Sequence, residues 1–358
     1  MAIRFADHSA RHQTARMPSH PYPVREIARQ AGVSEATVDR VLNQRPGVRT
    51  STISKVRQAI LDLDRQRSQL RLSGRTFMID VLMQTPDRFS SAIKAALEFQ
   101  LPTLLPAVVR ARFEFRETAR PAEIVKSLQD LRFRGSSGVL LKAPDLPEIS
   151  SEVDRLRDAG IPVVTLVTDL PLSRRIGYVG IDNRAAGATA AYLIDQWLGD
   201  DPGAVLIAIS RSVFRNEEER EIGFRSTLRT GSGRSLVEMT DTDGLDGSVR
   251  DRTVARLREH PSIVAVYSIG GGNRAILDAF DSQGRVCRVF VGHDVDRDNR
   301  ELLAHHRISA VLHHELGSDV RRACQLIMQF HGAFDGAAST VPSPVQVITP
   351  FNIPPEPR

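Results

Sequence analysis

Residues 24–43 read VREIARQAGVSEATVDRVLN, and the spacing of their apolar side chains governs how the rest of the chain is read. Val24, Ile27, Ala28 and Ala31 fall at helical spacing, the pattern breaks at Gly32-Val33-Ser34, and Ala36, Val38, Val41 and Leu42 resume it. Two short helices joined by a tight turn are predicted, a helix-turn-helix. Gly32 permits the turn, Ser34 suits the N-cap of the second helix, and Ala28 is small enough for two helices to cross closely. Asn43-Gln44-Arg45-Pro46-Gly47 ends the second helix, and a third is predicted from about Ser51 with Ile53, Val56, Ile60 and Leu63 as its buried stripe. Three such stripes can close one small core.

The chain has 358 residues, 41% hydrophobic and 25% charged, which is enough for two or three cores and excludes disorder, collagen and coiled coil for the whole. No stretch approaches the roughly 18 to 20 uninterrupted apolar residues of a membrane helix. Residues 1–22 hold no apolar h-region, so they read as a disordered tail rather than a secretory signal, and a cytoplasmic location is expected. Cys287 and Cys324 lack any metal spacing and read as buried thiols in a reducing compartment. The net charge of +5 is uneven: residues 1–76 hold 14 Lys/Arg against 6 Asp/Glu, a net of +8, which leaves about −3 for the rest. A small basic module on a slightly acidic body suggests a nucleic-acid reader joined to something else, against the alternative of a plain arginine bias, since only four of the 48 basic residues are Lys.

The string Ala28, Ala31, Gly32, Val33, Ser34, Thr37, Val38, Arg40, Val41, Leu42 and Asn43 resembles the headpiece of the lactose-repressor (LacI/GalR) family at every fixed position. The resemblance implies that the second helix enters the major groove of duplex DNA with Glu35, Ala36 and Arg40 at base edges. Arg40 can donate two bonds to guanine, Glu35 can accept from cytosine N4, and Ala36 can contact a thymine methyl; Glu35 is read equally well as a carboxylate suited to a helix start. Ser34, Thr37, Asn43, Arg49 and Thr52 occupy positions that in the family bind phosphates. The family's hinge Pro is missing from DRQRSQLRLSGRT after Leu63. Leu70 or Leu72 could wedge into the minor groove; a basic linker or an extension of helix three reads as well.

From Thr76 the pattern becomes apolar strands alternating with amphipathic helices, which predicts parallel sheets covered on both faces and, at this length, two lobes with ligands between them. Strands are predicted at 77–83, 112–115, 138–141, 162–167, 178–181, 204–209, 236–239, 263–268, 286–291 and 309–312. The phrases AGIPVVTLVTD, YVGIDNRAAGATAAYLI and REIGFRSTL resemble the type I sugar-binding fold shared by the family's regulators and periplasmic sugar receptors. The fold class so implied is α/β, two parallel-sheet αβα lobes preceded by an all-α headpiece. The boundaries are a headpiece at 23–66, a hinge at 67–76 and an effector and dimerisation domain at 77–350. Lobe one takes about 77–181 plus 315–340, and lobe two about 184–311 plus 343–350.

Pocket residues belong at strand C-terminal ends. Arg220 matches the family arginine that forks onto ligand hydroxyls, with a surface helix arginine as the alternative. Asp294 matches the aspartate after V-G-x, an acceptor for paired hydroxyls. The aspartate common in sugar binders aligns with Val167, so Asp169, two residues on, either reaches the pocket from a shifted position or caps its own loop. Phe89 could stack on a ring face, Asn273 opens a helix after Gly270-Gly271-Gly272, and His313 follows the last crossover strand. Trp197 reads as core.

Gly270-x-Gly272-x-x-Ala275 with Asp294 about 20 residues later imitates a dinucleotide fingerprint but lies in the middle of the αβ array. The adjacent pairs His305-His306 and His313-His314 do not converge on a metal as i, i+4 pairs would, and no nucleophile motif is assembled. The expectation is therefore a non-enzymatic DNA-binding regulator, most simply a repressor, without cofactor or metal. It would bind operator DNA as a homodimer, a tetramerising leucine repeat being absent, and respond to a sugar or polyol effector. An NAD-linked oxidoreductase and a stand-alone sugar-binding protein are the alternatives.

Overall fold

A computed structural model of the chain describes residues 21–72, 74–105, 107–210, 214–240, 246–333 and 341–355. Two compact units are present, Met1–Arg71 and Leu72–Arg358.

In the first unit, helices α1 (Val24–Ala31), α2 (Glu35–Leu42) and α3 (Thr50–Leu72) enclose a core of Ile27, Ala28, Val38, Val41, Val56, Ala59, Ile60 and Leu63, each at most 6% exposed. Gly32 closes α1 in the left-handed conformation at φ 65°, its N–H bonding Ala28 O, which is the geometry glycine adopts without penalty. Ser34 caps α2 by accepting from the Thr37 N–H at 3.3 Å. Of the readings of the hinge stretch, the structure takes the extension of helix three: α3 runs through 67–72, because the stretch from Leu61 to Leu72 contains neither Pro nor Gly and is rich in Arg, Gln and Leu, all good helix formers. The side chain of Leu70 lies outside the described residues.

The second unit contains two sheets. The first is ordered β2 (Val108–Arg116), β1 (Thr76–Gln84), β3 (Gly138–Lys142), β4 (Val163–Leu166), β5 (Gly177–Val179), all parallel. Helices α4 (Asp87–Gln100) and α12 (Leu316–Phe330) cover one face, and α5 (Pro121–Leu131) and α6 (Pro147–Asp158) the other. The second sheet is ordered β11 (Gln346–Ile348), β10 (Ala310–His313), β9 (Val289–His293), β8 (Ile263–Ser268), β6 (Ala204–Ala208), β7 (Leu236–Met239), parallel except for the β10·β11 pair. Helices α7 (Asn183–Leu198) and α8 (Arg215–Thr230) lie on one face, and α9 (Asp246–Glu259), α10 (Asn273–Ser282) and α11 (Arg297–Ala304) on the other. The inner strands β3, β6 and β9 are continuous apolar or buried runs because both of their faces are covered.

The chain crosses between the sheets after β5, after β10 and before β11. The crossings are tied together: Ile181 bridges Ser343, and the Ser343 N–H bonds Gly180 O at 2.8 Å. Asp319 on α12 accepts from His314, from Ser343 and, at 3.2 Å, from Arg322. This buried network joins two of the crossings to the helix that follows one of them.

Helices α7 and α8 touch backbone to backbone. A Cβ at Gly187 would lie 2.0 Å from Arg220 O, and one at Gly223 would lie 2.1 Å from Arg184 O. Gly187→Ala is therefore expected to push the helices apart and cost about 1 to 3 kcal/mol, read as a lowered denaturation midpoint in urea.

Trp197 is 44% exposed rather than core, and Tyr192, also on α7, is 60% exposed. The helix instead buries Ala186, Ala190, Ala191, Ile194 and Leu198, and the indole falls outside that stripe. Cys324 is fully buried, whereas Cys287 is only partly so. Burial pushes both thiols up to about 12.

Candidate functional site: a helix face and an interlobe cleft

The first unit presents Ser34, Glu35, Ala36 and Arg40 on the exposed side of α2, opposite Val38 and Val41. Arg49 is exposed just before α3, and Thr37 and Thr52 are half-buried. Thr37 shares a 2.8 Å hydroxyl contact with Ser34. Asn43 is committed locally: its amide donates to Asp39 O at 3.0 Å and to Asp39 Oδ1 at 2.7 Å, while Arg45 pairs with Asp39 at 3.0 Å. A phosphate contact from that amide requires it to leave Asp39.

In the second unit, loops from strand C-terminal ends converge on a cleft of about 90 Å³ between the lobes. Thr85, Arg88, Phe89, Lys142 and Val167 line it from the first sheet's side. Asn216, Glu217, Arg220, Asn273, His293, Asp294, Asp296 and Asn299 are among its lining from the second.

Arg220 and Asp294 are both brought to this cleft. Arg220 is 2% exposed and its Nε donates to Asn183 Oδ1 at 2.9 Å; the same asparagine's amide reaches Val167 O at 3.4 Å. The guanidinium is thus aimed by Asn183 at the start of α7, and its Nη2 is buried without a hydrogen-bond partner among the described residues. Asp294 stands in the left-handed region at φ 64°, its carbonyl held by Asn299 Nδ2 at 2.7 Å, and its Oδ1 is likewise buried and unpartnered. Val167 also has a left-handed φ, 69°, in conflict with its branched Cβ. The two outliers face one cleft, where such strain concentrates.

Asn273 donates to Asn299 Oδ1 at 2.6 Å and leaves its own Oδ1 unpartnered. Phe89 lines the cleft and is 6% exposed, anchored in the core of the first sheet. His293 holds Tyr267 OH at 2.9 Å through Nε2, leaving Nδ1 unpartnered, and burial, with Arg220 and His314 nearby, keeps the ring neutral by pushing its pKa well below 6.5.

Two expected residues are not on this cleft. Asp169 is claimed by its own loop: it accepts from the Leu170 N–H at 2.8 Å and Thr165 Oγ1 at 2.7 Å and forms an ion pair with Arg175. It lines a separate pocket behind the crossings, with Tyr178, Arg215 and Pro342. His313 is buried beneath the chain after β9, accepting from the Val295 N–H at 3.3 Å, and burial lowers its pKa to about 4. Its neighbour His314, on the opposite side of the extended chain, is the one that approaches the cleft, with Nε2 3.7 Å from Asp294 Oδ1.

Arg88, Lys142, Asn216 and Glu217 were missed by sequence reasoning. Arg88 on α4 reaches across to Asp296 at 3.1 Å, and Asp296 is itself pushed up to about 6, mainly by burial. Glu217 accepts from the Ser210 N–H and hydroxyl at 2.9 and 2.6 Å, and burial raises its pKa. Lys142 ends an apolar strand, a charged residue closing an otherwise buried run, and that contrast was legible.

Burial lowers the Lys142 ammonium to about 8, against pulls upward from Glu217 and Asp294 and downward from Arg220. A lysine depressed in the folded state penalises folding at neutral pH, and the penalty disappears as pH rises from about 8 to 10.5. Urea denaturation of the wild type against pH is thus expected to show a stabilising contribution of roughly 3 kcal/mol across that window that Lys142→Met lacks.

Residues 86–330 match the family described as "Periplasmic binding protein domain", and residues 24–66 match "Bacterial regulatory proteins, lacI family". The chain belongs to the periplasmic-binding-protein family and carries a lacI-family headpiece ahead of that domain. Among similar proteins is the HTH-type transcriptional regulator MalR of Streptomyces coelicolor, 31% identical over 173 residues, which are 46% of this chain and 48% of MalR. This LacI/GalR-type chain spans about half the length of the curated relatives it matches. Its fold is shared by GanP, a glucose-galactose binding protein from Geobacillus stearothermophilus, with a TM-score of 0.69 at 18% identity, covering 78% of this chain and 99% of GanP. A LacI transcriptional regulator described as putative, from Bacteroides fragilis, has a TM-score of 0.68 at 16% identity, covering 78% and 98%. Among the described residues no helix is long and apolar enough to cross a membrane, and no group of His, Cys, Asp and Glu is placed to hold a metal.

Proposed function

We propose that this LacI/GalR-type chain is a non-enzymatic, cytoplasmic regulator that binds duplex DNA through α2. A small polyhydroxylated molecule, held between the lobes, alters that binding. The observation that carries the effector half is the set of buried polar atoms without partners around one cleft: Asn216 Oδ1, Arg220 Nη2, Asn273 Oδ1, His293 Nδ1 and Asp294 Oδ1. Unpaired buried polar atoms each cost of the order of 1 to 3 kcal/mol, so they favour a ligand rich in hydroxyls, which both donate and accept. A chain of this fold, GanP, is a glucose-galactose binding protein, which agrees with that chemistry. The cleft is small beside the roughly 300 to 1,000 Å³ of ordinary ligand pockets, so a sugar requires the lobes to part around it.

The DNA half rests on the exposed Ala36 in the first turn and Arg40 in the last turn of a helix whose other face is core. Action as a repressor on a two-fold operator requires a homodimer, since a second headpiece doubles the base contacts and sets half-site spacing. Ser34, Thr37, Arg49 and Thr52 then serve the phosphates, which fix register.

Thermal melting against pentoses, hexoses, polyols and their acids tests the effector reading. A ligand at about 100 times its dissociation constant adds roughly 2.7 kcal/mol of stability. A melting shift that Asp294→Asn abolishes supports the cleft; a shift with NAD alone would contradict it.

A further inference from the structure

The cleft holds two buried cations that form no ion pair among the described residues. Arg220 spends its Nε on a neutral asparagine. Lys142, 9% exposed at the end of β3, donates to one carbonyl, Gln84 O, at 3.0 Å, and stands 4.4 Å over the ring of Phe214. A carbonyl and a ring face leave most of the ammonium's hydrogen-bonding capacity unused, and a buried charge without a counter-ion is expensive. The nearby carboxylates do not supply one. Glu217 is turned to Ser210, and Arg88, the other cation on this wall, is already paired with Asp296. The lining contributed by the first lobe therefore carries Arg88 and Lys142 and no acidic residue, whereas the hydroxyl acceptors Asn273 and Asp294 stand on the second lobe.

We propose that the effector is an acid, a polyhydroxylated molecule whose carboxylate or phosphate pairs with Lys142 while its hydroxyls meet Asn273 and Asp294. This inference rests on the carbohydrate-effector reading above and narrows it to anionic ligands. The depressed pKa of Lys142 agrees with it, since an arriving anion replaces the missing counter-ion and restores the charged form. A neutral sugar would leave the ammonium as it is.

Titration calorimetry of the full chain tests this with matched pairs: gluconate, glucuronate and glucose 6-phosphate against glucose and glucitol, and ribonate and ribose 5-phosphate against ribose. The expected result is one acid bound at least 100-fold more tightly than its neutral counterpart. Lys142→Met should bring the two within about threefold, with the melting curve confirming that the variant folds. Should it not fold, the wild type alone decides, because its preference for the acid must fall as pH rises above about 8, where Glu217, Arg220 and Asp294 face the same ammonium. Carboxylate and phosphate arms separate the two sources of charge. Equal affinity for a sugar and its acid would overturn the anionic assignment, and an acid preference that survives Lys142→Met would overturn Lys142 as the partner of the anion; either result leaves the carbohydrate reading standing. Binding of no member of the panel would overturn both.

Discussion

Replacing Arg220 by Gln should weaken effector binding at least 100-fold while leaving DNA affinity unchanged. The guanidinium is buried at 2% exposure, is held by Asn183, and has Nη2 without a hydrogen-bond partner among the described residues. A forked donor that spans two vicinal hydroxyls loses both bonds when shortened, and each bond to a charged group contributes about 1.5 to 3 kcal/mol. Glutamine keeps an amide near Asn183, so the lobes retain much of their packing. Calorimetry for the ligand and anisotropy for DNA separate the two effects. Loss of DNA binding together with ligand binding would make Arg220 a structural residue of α8 rather than a ligand contact.

The second large effect is expected on the other unit. Arg40→Ala should cost about 1 to 3 kcal/mol of operator binding, a factor of roughly 5 to 150, and relax preference at one base pair per half-site. Arg40 is exposed at the far end of α2 and forms no ion pair among the described residues, so its removal leaves the Ile27, Val38 and Val56 core intact. Arg49→Ala should instead weaken binding evenly across sequences and flatten the salt dependence, because a phosphate contact positions without reading bases. Competition with a mismatched duplex distinguishes the two variants. An Arg40→Ala protein with unchanged affinity and unchanged preference would show that α2 is not in the major groove.

Much of the fold was legible because its signals are local. Gly32 and Ser34 punctuate α1 and α2 as turn and cap, and the strand-helix alternation after Thr76 marks parallel sheets. The extension of α3 was also legible, since nothing between Leu61 and Leu72 stops a helix. In the cleft, Asp294 and Arg220 were found because each is tied to a neighbouring apolar phrase, VFVGH and GF. Asp169 takes the loop-capping alternative, and His313 lies off the cleft, each for a reason that spacing does not carry. Sequence spacing puts a side chain on one side of a strand, but Arg175, six residues on, captures Asp169, and the chain after β9 covers His313. Arg88 was overlooked because its partner, Asp296, comes from a distant element, whereas Lys142 carried a local signal, a charge closing an apolar strand.

The lobes and the DNA-reading unit become one regulator only if closure around a ligand changes how the headpieces are presented, which requires different affinities for two arrangements. The deciding measurement is the affinity of the full chain for a duplex it has itself selected from a randomised pool, with and without a saturating cleft ligand identified by melting. At least a tenfold change is expected for the wild type and none for Asp294→Asn. The same dissociation constant for the wild type, ligand-free and ligand-saturated, would contradict it.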